Sequence, residues 1–152
     1  MQSFANISKL AADRYGGAKT LKQKLTPPKS ISSIKKITDD RWLSEMTKCV
    51  FQTGFKWHLI EDKWGRFEEV FENFDIERCA MMSDDDLDRL LITEGIVRNY
   101  VKIRSVTKNA LFLKEVIDTH NSVGNFFLRF TNLNRTRVFI RFRMTASNTL
   151  RL

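Results

Sequence analysis

The side chains best suited to metal or nucleophilic chemistry are few in this 152-residue chain, and they lie far apart. The cysteines are Cys49 and Cys79, and the histidines are His58 and His120. None of them has the close spacing of a zinc site, and two distant cysteines do not make a disulfide framework. We therefore expect no metal, no cofactor and a reducing compartment, the cytoplasm.

A block of aromatic and amide residues occupies positions 51–57, with the sequence FQTGFKW. Trp57 lies at helical spacing from Ile60 and Trp64, and this spacing by itself favours a core position. Gln52 and Gly54 are equally typical of a helix C-terminus, where glycine provides the left-handed end. From the residues alone, the block is interpreted as structure rather than as a site.

The net charge of +8 is unevenly distributed along the chain. Residues 1–37 carry +7, residues 38–118 carry −5 and residues 119–152 carry +6. Clustered Lys and Arg bind nucleic acid by releasing counterions from its phosphates. Basic flanks around an acidic middle are also expected of two poorly packed ends, so charge alone does not decide the function.

The pattern predicts a mainly α fold, a bundle of short helices in residues 38–118 that follows a basic lead-in at 1–37. The lead-in contains two weak helices, at about 3–14 and 18–25, and Pro27 and Pro28 end the second. Asp39 or Asp40 can cap the next helix, which Gly54 terminates. No stretch approaches the roughly 18 to 20 apolar residues that span a bilayer, so we expect no membrane segment.

Further helix signals follow in close succession. Residues 57–74 keep a helical apolar pattern interrupted at Gly65, which predicts a kinked helix or two short ones. Asp75 can cap a single turn, Ser83 opens a capping box, and a long helix follows from about Asn99 to residue 118. The three aspartates after Ser83 lie in a first helical turn, where the helix dipole favours them.

Residues 119–152 have a different composition, with six arginines and no acidic residue. Apolar and basic residues alternate over 137–144, and period two indicates a strand. We therefore predict an atypical Arg/Asn-rich tail, irregular or containing a β-hairpin of Phe126–Phe130 with Arg137–Met144. The abrupt change also suggests a frameshift or a premature junction in the coding sequence, and translation of the neighbouring DNA in the other frames tests this.

Three segments together resemble the DNA-3-methyladenine glycosylase I family over about residues 38–118. They are FQTGFKW at 51–57, FDIERCAMMSDDDLDRLL at 74–91 and GIVRNYVKIRSVTKNALFL at 95–113. The resemblance implies a helical fold of the helix-hairpin-helix glycosylase type. It also implies an enzyme that flips an alkylated purine, 3-methyladenine, out of double-stranded DNA and hydrolyses its N-glycosidic bond with water.

The same resemblance implies where this chain would bind its substrate. Trp57 falls on the family's pocket tryptophan, and Gln52, Phe55 and Cys49 fall beside it as base-binding positions. Arg98 and Lys102 lie in the third segment, where they would contact DNA phosphate or line the pocket; the alternative is a solvated helix face. We expect a monomer that binds DNA with an alkylated base.

Two departures from the family keep a second function open. Eight residues before the pocket tryptophan the family has a glutamate that hydrogen-bonds the modified base, and here that residue is Cys49, which cannot supply the charge. Apart from the resemblance, Cys49 is interpreted as an ordinary buried cysteine. The family's downstream glycine-containing hairpin has no counterpart here. The alternatives are a non-catalytic helical nucleic-acid-binding module or degenerate remnant, and an unrelated helical adaptor.

Overall fold

A computed structural model describes residues 3–25 and 30–131 of the chain. These residues contain helices and no strand, so the predicted mainly α fold is confirmed. The chain divides into two compact units, residues 1–30 and 31–152. Within the described part, no helix has the length and apolar content needed to cross a bilayer.

The first unit contains α1 (Phe4–Arg14) and α2 (Ala18–Lys24), close to the two predicted weak helices. Ser3 caps α1 by accepting the Asn6 N–H at 3.3 Å. Neither helix contains a buried residue. Because an isolated helix of this length is marginal in water, this helix pair has little packing energy of its own.

The second unit contains eight α-helices in its described part, together with one 3-10 turn at Glu72–Phe74. In chain order the α-helices are α3 (Ile31–Lys35), α4 (Asp39–Gln52), α5 (Trp57–Glu61), α6 (Trp64–Val70), α7 (Ile76–Ala80), α8 (Asp84–Ile92), α9 (Tyr100–His120) and α10 (Val123–Thr131). The 21-residue helix α9 lies at the centre and packs on α4, α7, α8 and α10.

The core of this unit is rich in phenylalanine. Its fully buried aromatic members, on α4, α6 and the segment that follows, are Phe51, Phe67, Phe71 and Phe74. From α9 the core receives Ile103, Val106, Ala110 and Leu113, each with no exposed surface. Burying one such large side chain stabilises the fold by roughly 1.5 to 3 kcal/mol, so helix packing supplies what short helices lack.

The predicted helix starts are largely confirmed. Ser83 and Asp86 form the capping box of α8, Asp75 accepts the Arg78 N–H at the start of α7, and Asn99 caps α9. Residues 57–74 form two short helices and a turn rather than one kinked helix. At α4 the cap is Thr38, while the predicted caps Asp39 and Asp40 lie in the first turn.

The 3-10 turn at Glu72–Phe74 is left-handed, because the φ angles of its three residues lie between 52° and 60°. Such a conformation costs roughly 1 to 2 kcal/mol per L-residue. Tertiary contacts hold it: the Arg41 guanidinium donates to the carbonyl of Asn73, and the ring of Phe74 stacks on Trp64 at 5.4 Å. The turn is therefore maintained by α4 and α6.

The predicted strand at Phe126–Phe130 is wrong, because these residues belong to α10. Asp39 Oδ1 accepts the N–H of Val123 at 2.8 Å, and Val123 has no exposed surface. Trp42 stacks on Phe127 with ring centroids 4.8 Å apart. These contacts with α4 stabilise a helix that a short window of sequence does not reveal. The alternating segment 137–144 lies outside the described residues.

Candidate functional site

The candidate site is built around the end of α4 and the start of α5. Gly54 has φ +79°, the left-handed conformation that ends α4 after Gln52. Three residues later Trp57 begins α5. This turn connects the last turn of α4, which carries Cys49 and Gln52, to the aromatic residues Phe55 and Trp57.

Trp57 is not a core residue, although its spacing predicts one. Its side chain is 68% exposed, whereas Ile60, three residues later in the same short helix, is 1% exposed. Phe55 is also exposed, at 44%. Isolated exposed apolar residues are normal on proteins, and here the exposure leaves both aromatic rings accessible to an external partner.

Lys102, on the first turn of α9, contacts this turn from inside the protein. Its ammonium donates hydrogen bonds to the carbonyl oxygens of Phe51 at 3.1 Å and Thr53 at 2.6 Å. The same nitrogen lies 4.6 Å from the centroid of the Phe55 ring. Lys102 is only 8% exposed, so it does not lie on a solvated helix face, and burial lowers its pKa.

Arg98, two residues before α9, is exposed. It has no hydrogen-bond or ion-pair partner within the part of the chain that the structure describes. Its guanidinium can therefore meet an external anion such as a phosphate without first breaking an internal contact. The two basic residues predicted together thus lie in opposite environments, Arg98 in solvent and Lys102 inside.

Cys49 is exposed, so the interpretation as a buried cysteine is wrong. Although its surface is accessible, desolvation by the surrounding protein and the nearby Glu45 carboxylate raise the pKa of its thiol. The thiol is neutral at physiological pH as a result. This position of α4 therefore presents a weak donor and acceptor rather than a charged group.

A polar cluster of Arg41, Ser44, Trp64 and Glu68 holds α4 against α6, and the sequence pattern did not indicate it. The Glu68 carboxylate accepts from Trp64 Nε1 at 2.9 Å, from Ser44 Oγ at 2.8 Å and from Arg41 Nη1 at 3.0 Å. Only the i,i+4 spacing of Trp64 and Glu68 was visible in the sequence. The cluster fixes the helix whose end carries the site.

A cavity of about 500 Å³ lies elsewhere in this unit, among α3, the end of α9 and α10. Lys35, His120 and Arg129 are among its lining residues, and none of the predicted site residues lines it. Within the described residues, no group of three or more His, Cys, Asp or Glu side chains is arranged to hold a metal ion.

Comparison with known proteins supports the resemblance. A family model described as methyladenine glycosylase matches residues 34–149. DNA-3-methyladenine glycosylase 1 of Escherichia coli (strain K12) is 29% identical over 97 residues, which cover 62% of this chain and 51% of that protein. DNA-3-methyladenine glycosylase of Haemophilus influenzae (strain Rd) is 26% identical over 81 residues, which cover 53% and 44%.

A solved structure, 3-methyladenine DNA glycosylase I from Staphylococcus aureus, has the same fold as the matched part. Its TM-score is 0.60 at 23% identity, covering 64% of this chain and 52% of that one. The chain spans about half the length of the curated relatives it matches. The family match starts before residue 38 and continues beyond residue 118, the two limits of the predicted resemblance. The chain belongs to the methyladenine glycosylase family.

Proposed function

We propose that this protein is a DNA glycosylase of base-excision repair that hydrolyses the N-glycosidic bond of alkylated purines, 3-methyladenine in particular. The observation that carries the proposal is the exposure of the Trp57 indole, together with that of the Phe55 ring, in the block that by resemblance corresponds to the family's pocket. The partner is double-stranded DNA with an alkylated base, bound by a monomeric enzyme in the cytoplasm.

The proposed chemistry fits a site with exposed aromatic side chains. The glycosidic bond of a stacked base is inaccessible, so the base must leave the duplex before hydrolysis. Stacking on an aromatic side chain contributes about 1 to 3 kcal/mol per base. A purine that already carries positive charge is a good leaving group, so stacking, exclusion of solvent and a positioned water supply most of what the reaction needs.

Arg98 is the proposed phosphate contact. It is exposed and has no internal partner among the described residues, as expected for a side chain that binds an external anion. Loss of one phosphate contact weakens binding to all DNA sequences and lowers the salt slope by about one. Arg98→Ala is therefore expected to weaken binding to all DNA sequences and to lower the salt slope. Lys108→Ala is the control, because Lys108 is another exposed basic residue of the same region.

Substitution of Trp57 tests the proposal directly. Release of 3-methyladenine from methylated duplex DNA is measured for the wild type, Trp57→Ala and Trp57→Phe. The loss of stacking predicts a fall in kcat/KM of about 10- to 100-fold for Trp57→Ala, with most activity retained by Trp57→Phe. Ile92→Ala is the matched control, because Ile92 is 75% exposed and lies on α8. Equal activity of Trp57→Ala and Ile92→Ala would remove Trp57 from the site.

Cys49 favours a second candidate, a helical nucleic-acid-binding module without catalysis. Its neutral thiol lacks the charge with which a carboxylate would recognise a cationic base. The two candidates differ in the outcome for Cys49→Glu, with Cys49→Ser as the neutral control. If the site is a glycosylase pocket, Cys49→Glu is expected to release more 3-methyladenine than the wild type or Cys49→Ser. If the protein is a binding module, the wild type and both variants are expected to bind DNA and to release no base.

A further inference from the structure

We infer that Lys102 is a positioning residue, which holds the turn carrying Phe55 and Trp57 in place through two backbone carbonyls and an aromatic ring. This inference rests on the proposed function for its consequence in catalysis. It differs from the expected role of Lys102 as a DNA contact, because an ammonium bound from inside the turn is not presented to a phosphate.

The hydrogen bonds connect parts of the chain that are distant in sequence. Lys102 lies 51 residues from Phe51 and 49 residues from Thr53, whose carbonyls accept its two N–H groups. Carbonyls at the end of a helix lack an intrahelical partner, and the helix dipole makes this end negative. The ammonium therefore supplies hydrogen-bond donors to the carbonyls of Phe51 and Thr53 at the end of α4.

The Lys102 ammonium also contacts two aromatic rings of this segment. Its nitrogen lies 4.6 Å from the ring centroid of Phe55 and 5.9 Å from that of Phe51, both within cation–π range. Lys102 thus contacts residues 51, 53 and 55, alternate members of the turn that leads to Trp57. A side chain that contacts three residues in this way restricts the conformations of this turn.

Local hydrogen bonds and burial hold the first turn of α9, which carries Lys102. Its own N–H is capped by Asn99 Oδ1 at 3.1 Å, and its carbonyl accepts the Ser105 hydroxyl at 2.6 Å. The next residue of α9, Ile103, has no exposed surface. No carboxylate of the described residues pairs with the ammonium, and burial lowers its pKa. A buried cation without an anionic partner is costly unless its hydrogen bonds are well formed.

Three variants of the full chain test the inference: Lys102→Met, which keeps the length and loses all donors, Lys102→Arg, which keeps charge and donors, and Lys108→Met. Lys108 is the matched control because it is an exposed lysine on the same helix. The chain has three tryptophans, so 5-fluorotryptophan labelling gives three ¹⁹F resonances, and Trp57→Phe identifies that of Trp57.

The expected result is local. Lys102→Met is expected to shift or broaden the Trp57 resonance and to leave the resonances of Trp42 and Trp64 in place. Lys102→Arg is expected to restore the Trp57 resonance in part. Lys108→Met is expected to change none of the three resonances. An unchanged Trp57 resonance in Lys102→Met would overturn the inference. So would an equal change in all three resonances, which would indicate a general stabilising role. This readout does not depend on activity, so it stands even if the wild type releases no base.

Kinetics and salt dependence separate positioning from DNA contact. Displacing a reacting group by about 1 Å can cost about 100-fold in rate, so Lys102→Met is expected to lower kcat for 3-methyladenine release at least about tenfold. The salt slope of DNA binding stays that of the wild type. A slope lowered by about one in Lys102→Met would assign Lys102 to a phosphate and refute the positioning role.

Discussion

Glu68 allows a quantitative prediction about how α4 is held. Its carboxylate accepts hydrogen bonds from Trp64 Nε1, Ser44 Oγ and Arg41 Nη1 at 2.8 to 3.0 Å. The Ser44 side chain belongs to a residue that is 3% exposed, whereas the side chain of Arg41 is 39% exposed. The bonds from Ser44 and Trp64 are therefore expected to contribute more to stability than the ion pair with Arg41.

The magnitude follows from these contacts. A hydrogen bond to a charged acceptor contributes about 1.5 to 3 kcal/mol, and an exposed ion pair about 0 to 1 kcal/mol. In Glu68→Ala, Trp64 Nε1 keeps a longer bond to Ser44 Oγ at 3.3 Å, which offsets part of the loss. We expect Glu68→Ala to lower the free energy of unfolding by about 3 kcal/mol, and Glu68→Gln by about 1 kcal/mol, since its amide oxygen remains an acceptor.

Denaturant unfolding followed by circular dichroism at 222 nm measures both variants. Glu69→Ala is the matched control, because Glu69 is the adjacent residue and its carboxylate, 66% exposed, pairs only with Arg66 among the described residues. The control is expected to stay within about 0.5 kcal/mol of the wild type. If Glu68→Ala cost no more than Glu69→Ala, the partly buried hydrogen bonds of Glu68 would not be what holds α4 on α6.

Two further predictions concern helix ends. Asp39→Ala removes the acceptor for the N–H of Val123, so we expect a loss of about 1 kcal/mol and faster hydrogen exchange at that amide, with the amides of α7 unchanged. Ser83→Ala removes the cap of α8 and is expected to cost about 1 kcal/mol at neutral pH, measured by denaturant unfolding. The backbone and side-chain hydrogen bonds of Ser83 hold the pKa of Asp86 below its usual value. The Asp86 carboxylate therefore contributes fully to the free energy of unfolding above about pH 4, and this contribution is lost as the pH falls through the lower pKa of the folded state. The difference in the free energy of unfolding between Ser83→Ala and the wild type should narrow over the same fall in pH. A pH-independent difference would contradict the assignment to the carboxylate.

The candidate site was only partly predictable because burial is not a local property. Helical spacing from Ile60 suggested a buried Trp57, but α5 has five residues and only part of its surface meets the core. The indole is consequently exposed. Cys49, interpreted apart from the resemblance as a buried cysteine, lies at the surface. Lys102, expected at a phosphate, in the pocket or on a solvated helix face, is buried. For Lys102 the deciding neighbours are the carbonyls of Phe51 and Thr53 at the end of α4.

The sequence by itself determined where most helices begin and end. The caps Ser83, Asp75 and Asn99 act on backbone groups three residues away, and Gly54 ends α4 through its own φ angle. Such interactions are complete within a few residues, so they are legible in a short window of sequence.

Only the tertiary structure decided which faces of these helices are covered. The helix α10 exists where a strand was predicted, because Asp39, 84 residues away, accepts its first N–H and Trp42 stacks on Phe127. Lys102 likewise acquires its role from carbonyls about 50 residues away. Contacts over such separations depend on how the helices pack, and helical periodicity specifies that a residue faces a neighbour without specifying which one.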